Sequence, residues 1–325
     1  MKYLVTGACG FIGSNFADYV LRYEDDSRVL NVDKHTSVSN NFLELKHFNN
    51  PRYREIIVDL ASPNWENKME IPDVIVHFAA ESHVDRSCED VTPFISSNIT
   101  ATMNIMNYAI KHDVPIVYVS TDEVYGSLKL GDSPFTELSP INPRNPYAAT
   151  KASGEFLVKS LANANNFNNF VITRCSNNYG HWQDQTKLIP VGIKKLLEGK
   201  PIPIYGRGSQ VRDWIHVLDH CSAIHKLVSI MTTSSVMTYR EFNIGADNEW
   251  TNLDIAHKLC DIIGVPYSKG IDFVNDPRGD AHDFRYAIDS SLISISGWTP
   301  KMTHPFDESL TETVQWYKDH THWIY

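Results

Sequence analysis

With 325 residues, 42% of them hydrophobic and 21% charged, the chain is large enough to bury a full core and more than one domain. A formal net charge of −10 argues against a nucleic-acid or anionic-membrane surface, so an anionic ligand must be met by cations and helix N-termini gathered locally. The five cysteines (Cys9, Cys88, Cys175, Cys221, Cys260) are scattered without a CxxC pair, which argues against a disulfide framework or a metal site and fits a reducing cytoplasm.

The first residues run straight into a strand, Tyr3–Thr6, leaving no room for a signal peptide, and no apolar run approaches membrane-span length. A helix is predicted over Gly13–Leu21. Further β-rich runs are Val29–Asp33, Glu55–Asp59, Asp73–Ala80 and Pro115–Ser120. Between them Ile95, Ile99, Met103, Met106 and Ile110 recur at helical spacing, which predicts an amphipathic helix over 94–111. Another helix begins near Tyr147, with Phe156 and Leu157 expected in its core face. The Asn-rich patch Asn163–Asn169 reads as a turn before the strand Phe170–Cys175.

Strands and helices alternating in this way imply an α/β fold, a doubly wound parallel Rossmann sheet with ligands at the carboxyl ends of its strands. Beyond about 176 the rhythm loosens around Pro190, Pro201, Pro203 and Pro277. A helix over Asp254–Ile263 is predicted there, capped by Thr251 and stopped by Gly264. The expected division is a dinucleotide domain over 1–176, with returns near 211–245, and a smaller, discontinuous α/β substrate lobe over 177–325. A return to the main sheet is expected around Glu241–Gly245.

The segment Thr6–Gly13 (TGACGFIG) lies between the first strand and the first helix. Gly7 and Gly10 allow a tight turn, Gly13 allows close helix–strand packing, and Phe11 and Ile12 open the helix whose N-terminus meets a pyrophosphate. A bare glycine triplet is weak evidence, but here Asp33 ends the second strand where a carboxylate holds a ribose 2′-OH. That carboxylate repels a 2′-phosphate, so the expected cofactor is NAD, a preference that Lys34 softens slightly. Asp59 and Leu60 either meet the adenine or, for Asp59, cap a turn.

Tyr147 and Lys151 stand four residues apart on one helix face. A tyrosine with a pKa near ~10 must fall by about 3 units, about 4 kcal/mol, to act as a base near neutrality. One cation at about 6 Å with an effective dielectric of about 20 supplies about 3 kcal/mol. The pair therefore works chiefly beside the positive ring of an oxidised nicotinamide. Alone this spacing is common by chance; behind a dinucleotide turn it points to redox chemistry. Asp122 and Glu123 follow Thr121 at the end of the Pro115–Ser120 strand, where two carboxyls can address neighbouring atoms of one ligand. Elsewhere such a dipeptide would be a solvated turn or a cap.

These residues resemble the extended short-chain dehydrogenase/reductases, and within them the nucleoside-diphosphate-glucose 4,6-dehydratases of the dTDP-glucose type. The likeness covers nearly the whole chain. It is carried by His77–Ser87 (HFAAESHVDRS), Ser120–Gly126 (STDEVYG), Tyr147–Lys151 (YAATK), Arg174–Gly180 (RCSNNYG), Lys187–Pro190 (KLIP), Gln210–Trp214 (QVRDW), Phe242–Gly245 (FNIG) and Arg285–Asp289 (RYAID). Inverting relatives typically carry a lysine where Glu123 stands, so the resemblance implies the retaining type. It also places Ala79, Ala80 and Ser82 at the cofactor. For the nucleotide sugar it implies Ser82, Thr121, Asn177, Lys187, Leu188, Tyr205, Arg212, Asn243 and Arg278; for Arg212 alone, a structural pair with Asp213 or Asp219 is the plain alternative. Two departures lie in the substrate lobe: His181-Trp182 replace a proline and an aromatic, and the segment before Arg285 is longer.

The implied chemistry has Thr121 and Tyr147 holding the sugar 4-OH while hydride leaves C4. Glu123 takes the acidified C5 proton, Asp122 protonates the departing C6 hydroxyl, and hydride returns to C6. UDP-glucose, dTDP-glucose and UDP-N-acetylglucosamine all remain open as substrates. A homodimer built on the 94–111 and Tyr147 helices is a further implication. The rivals are a 4-epimerase, which has no use for paired carboxylates, and a non-catalytic NAD-binding regulator, which typically loses the Tyr or the Lys.

Overall fold

The computed structural model describes residues 1–36, 49–233, 239–276, 279 and 282–323. Its strands in chain order are β1 (Lys2–Thr6), β2 (Arg28–Asp33), β3 (Tyr53–Ile57), β4 (Val74–His77), β5 (Ile116–Thr121), β6 (Phe170–Cys175), β7 (Asn177–Tyr179), β8 (Ile202–Tyr205), β9 (Val211–His216), β10 (Glu241–Ile244), β11 (Glu249–Thr251), β12 (Ile271–Val274) and β13 (Arg285–Tyr286). Seven of them form one parallel sheet in the order β10-β6-β5-β4-β1-β2-β3. The expected doubly wound sheet is present, and the chain returns to it at β10.

Alternation along each strand divides two apolar layers. Tyr3, Val5, Val74, Val76, Val117, Val119 and Val171 pack on one face against the helices Phe11–Tyr23 and Val217–Thr233. Leu4, Ile75, Ile116, Tyr118 and Ile172 pack on the other against Ala101–His112 and Pro146–Ala164. Successive side chains of a strand point to opposite faces, so both faces of this sheet are buried. A third core built on Ile189, Ile193, Trp214, Ile255, Leu259, Phe306 and Leu310 lies under β7, β8, β9, β11 and β12.

Several boundaries differ from the sequence expectation, each for a local reason. β3 lies two residues earlier than Glu55–Asp59, because it pairs residue for residue with β2, ending Asp33 against Ile57. β4 stops at His77 rather than Ala80. There Phe78 and Ala79 turn to donate to the Thr6 carbonyl and hydroxyl, 3.2 Å each. The helix expected over 94–111 runs from Thr92 to His112 but widens into a π turn at Ile95–Thr100. Apolar spacing cannot show such an insertion. Phe156 is 54% exposed rather than core; Glu155, Val158 and Ala162 set the inward stripe of its helix. The helix predicted over Asp254–Ile263 begins at Asn252, with a Thr251/Asp254 capping box and Gly264 at φ 84° as its stop.

Candidate active site

The strand order reverses between β1 and β4, and a large cleft opens at the carboxyl ends of the strands there. At one end the glycine turn lines it. Gly7 holds φ 74°, and a Cβ on Gly13 would sit 2.4 Å from the Gly7 carbonyl oxygen. The helix behind the turn has no side-chain cap and no acidic residue in its first turn, leaving its N–H groups and dipole for an anion. Gly13→Ala is accordingly expected to displace the turn, strip the bound dinucleotide and lower Tm; thermal denaturation and the ultraviolet absorbance of the purified protein would show both.

Gly7, Gly10, Phe11, Ile12, Gly13, Asp33, Lys34, Asp59, Leu60, Ala79, Ala80 and Ser82 all line this cleft. The Asp33 carboxylate is buried and accepts from the N–H groups of Cys9, at 3.0 Å, and His35, at 2.9 Å. Each of its oxygens retains acceptor capacity for a ribose hydroxyl. Asp59 both lines the cleft and caps a turn through the N–H of Ala61, at 2.8 Å. Lys34, Arg86, Lys151 and Lys187 gather positive charge along the cleft of an otherwise acidic chain.

At the other end β5 delivers Thr121 and a 3-10 turn, Asp122–Tyr125. The two carboxyls thus leave from a capped turn rather than from a continuing strand. The Thr121 hydroxyl caps the turn, accepting from the Glu123 N–H at 3.3 Å, and donates to Asp122 Oδ1 at 3.3 Å. The turn is anchored from beneath. Fully buried Arg174 donates to the Tyr125 hydroxyl at 2.7 Å while paired with Glu155 and Glu241, and Tyr125 donates to Asn243 at 2.8 Å.

Asp122 and Glu123 have unlike surroundings. Asp122 Oδ2 is buried with no hydrogen-bond partner. Burial and then the charge of Glu123 push the Asp122 pKa well up. Glu123 Oε2 accepts from Asn145 at 2.9 Å, while the Tyr286 hydroxyl 3.5 Å away donates to Asp283. Burial raises its pKa too, but the Asn145 hydrogen bond and the Arg212 and Lys187 charges pull against that. Both carboxyls are raised, Asp122 the more strongly, so Asp122 is the member of the pair that holds its proton to higher pH.

Tyr147 is buried in the first turn of the helix Pro146–Ala164, whose N-cap Asn145 accepts from the Ala148 N–H at 2.8 Å. Burial, then the Glu123 charge, raise the Tyr147 phenol well above its ordinary pKa. Lys151 donates to the Val119 carbonyl at 2.7 Å, and burial pushes its pKa down to about 8. The chain alone therefore keeps Tyr147 protonated. A positive charge must enter the cleft before it can act as a base.

Of the residues expected at the sugar, Ser82, Thr121, Asn177 and Lys187 line the cleft, while Leu188, Tyr205, Arg212 and Asn243 do not. Asn243 is buried between Tyr125 and the Phe135 carbonyl, to which its amide donates at 3.0 Å. Arg212 pairs with neither Asp213 nor Asp219. It stacks 4.3 Å over the Tyr286 ring and donates to the carbonyls of Val211 and Asp283, acting on the carboxyl pair from behind. Arg278 lies outside the described residues. Sequence reasoning missed Asn145, which holds Glu123, Tyr286, whose hydroxyl lies beside Glu123 while bonded to Asp283, and Trp182 and Gln183, which line the cleft. Asn145 carried a signal, since an asparagine two residues before Tyr147 is a natural N-cap.

A family profile described as "NAD dependent epimerase/dehydratase family" matches residues 3–245. A dTDP-glucose 4,6-dehydratase of Haemophilus influenzae is 39% identical, with 98% of each chain covered. The crystal structure of a dTDP-glucose 4,6-dehydratase from Bacillus anthracis in complex with NAD is 36% identical, with a TM-score of 0.86 over 99% of this chain and 98% of that one. A Bacillus cereus UDP-glucuronic acid 4-epimerase with UDP-glucuronic acid and NAD is similar at 25% identity, with a TM-score of 0.87 over 98% of this chain and 100% of that one.

Proposed function

The chain belongs to the NAD dependent epimerase/dehydratase family, and within it we propose the activity of a retaining nucleoside-diphosphate-hexose 4,6-dehydratase, an NAD-dependent hydro-lyase. The observation that carries this reading is the unlike pair Asp122 and Glu123 beside Tyr147 and Lys151 in one cleft. NAD fits the residues present: Gly7 and Gly13 pack too closely against Ala79 and the Gly7 carbonyl to carry a Cβ, which keeps the turn tight before the uncapped helix N-terminus, and the Asp33 carboxylate lines the same cleft. When bound, NAD supplies the acceptor and later the donor of one hydride.

The chain's own residues do the rest. Thr121 and Tyr147 hold the 4-OH, and Tyr147 takes its proton. A ketone at C4 acidifies C5–H, and Glu123 removes that proton. Asp122, kept protonated by burial, delivers its proton to the C6 hydroxyl as water leaves across C5–C6. With hydride at C6 and a proton at C5, the product is a 4-keto-6-deoxy sugar. An epimerase needs only the first of these steps and leaves both carboxyls without a task.

Asp122→Asn is expected to slow water loss while exchange of the C5 proton with solvent continues. Folding raises the Asp122 pKa, so ionisation of this carboxyl disfavours the native state at pH values above its ordinary value of about 4. The asparagine variant should therefore melt at a higher temperature at pH 8, and the gain should vanish as pH falls toward about 4. Thermal scans across pH check this.

We assign residues 1–176 and the return near 211–245 to NAD, and the remainder of 177–325 to the nucleotide sugar. No described helix is long and apolar enough to cross a membrane, and all five cysteines are free, which supports a cytoplasmic location. Two copies are proposed to meet through the Ala101–His112 and Pro146–Ala164 helices, which share an inner core yet leave Phe156, Met103 and neighbouring Ile95 exposed. Phe156→Glu is expected to give monomers in sedimentation velocity. Turnover of dTDP-glucose, UDP-glucose and UDP-N-acetylglucosamine without added reductant, followed through the alkaline absorbance of the 4-keto product, identifies the donor. C4-epimerised sugar in place of that product would overturn the reading.

A further inference from the structure

No metal-ligand spacing is legible in the sequence, yet the fold brings three ligating side chains into mutual contact. Cys9 belongs to the glycine turn, His35 follows β2, and Glu55 lies in β3; Cys9 is 26 and 46 residues from the other two. Cys9 Sγ is 3.5 Å from His35 Nε2 and 3.0 Å from Glu55 Oε2, and His35 Nε2 is 2.9 Å from Glu55 Oε1. Sulfur, nitrogen and oxygen ligands at about 2.0–2.3 Å from one tetrahedral cation are separated by about 3.3–3.5 Å. The sulfur and the nitrogen already stand at about that spacing, Glu55 meets them through its two different oxygens, and one ligand atom from each residue lies within 4.8 Å of the other two.

Support for the ligands is also in place. Asn31 donates to Cys9 Sγ at 3.2 Å and to Glu55 Oε2 at 3.0 Å, fixing two of them from behind. The His35 and Glu55 side chains remain 22% and 10% exposed, which leaves a water access to a fourth position. We propose that Cys9, His35 and Glu55 bind a borderline-soft divalent cation of the zinc class. A thiolate, an imidazole and a carboxylate suit such an ion and do not suit magnesium or calcium. On binding, the S–H bond of Cys9 is replaced by a sulfur–metal bond and the proton goes to solvent. The cation ties the glycine turn to β2 and β3, so loading stabilises the folded chain.

The full-length protein, stripped with a chelator and titrated with Zn²⁺, is expected to bind one cation per chain and to melt at a higher temperature. Titration with Co²⁺ should produce a near-ultraviolet thiolate-to-cobalt charge-transfer band. Cys9→Ser should abolish that band and weaken Zn²⁺ binding by about 10-fold or more. His35→Asn, a residue type that tolerates the φ of 53° found there, should weaken binding while keeping the fold. Cys88→Ser, at an exposed thiol, should change nothing. No band with the folded wild-type protein, or a band that survives Cys9→Ser, or one lost in Cys88→Ser, overturns the proposal.

Discussion

Tyr147→Phe is expected to lower turnover by about 10²–10⁴-fold without loss of fold or cofactor. The substitution removes one hydroxyl and leaves the ring where it packs, edge-on to Phe94 with centroids 6.4 Å apart. The loss should be this large because neither Lys151 nor Cys175 is poised to take its place. Lys151 is turned to the Val119 carbonyl, and Cys175, the nearby thiol, is pushed up to about 12 by burial and the Asp122 charge. Burial and Glu123 hold the Tyr147 phenol protonated in the chain alone, so a base appears only with the positive nicotinamide ring. Steady-state kinetics and the ultraviolet spectrum of the variant check this together. More than a tenth of wild-type turnover would remove Tyr147 from the role assigned to it.

Glu123→Gln should cost a comparable factor, about 10²–10⁴, at a later step. Glutamine preserves the shape and can still accept from Asn145, which donates to Glu123 at 2.9 Å, but it cannot carry a proton away from C5. On addition of nucleotide sugar the variant is expected to show the near-ultraviolet absorbance of reduced nicotinamide, no keto product and no deuterium entering C5 from heavy water. Asp122→Asn should differ in that last respect. The pH profile of the wild-type enzyme follows from the same pair. Falling pH protonates Glu123 and removes the base; rising pH ionises Asp122, whose pKa is raised further, and removes the acid. The result is a bell whose two limbs belong to the coupled pair, and Asp122→Asn should lose the alkaline limb.

Much of this was legible in the sequence because the relevant signals are local. The glycine turn, Asp33 at the end of β2, and Tyr147 and Lys151 one helical turn apart each depend on spacing within a single supersecondary unit. So did the cap and stop of the Asn252–Ile263 helix. What was not legible depends on contacts between distant segments. β3 is bounded by its partner strand, and the π turn at Ile95–Thr100 is invisible to periodicity. The orientation of Lys151 toward Val119 is a matter of burial rather than of i, i+4 geometry. The hydrogen bond that makes Glu123 unlike Asp122 comes from Asn145, 22 residues away. The Cys9, His35 and Glu55 cluster escaped for the same reason.

The central claim is that one hydride leaves C4 and returns to C6 of the same sugar while Asp122 and Glu123 expel water between. The most direct measurement is conversion of dTDP-glucose deuterated at C4, without added reductant, followed by NMR of the product. A 4-keto-6-deoxy sugar with the deuterium in its C6 methyl group is the predicted result. Deuterium found at C4 of an epimerised sugar would contradict the account and leave the carboxyl pair without the task assigned here.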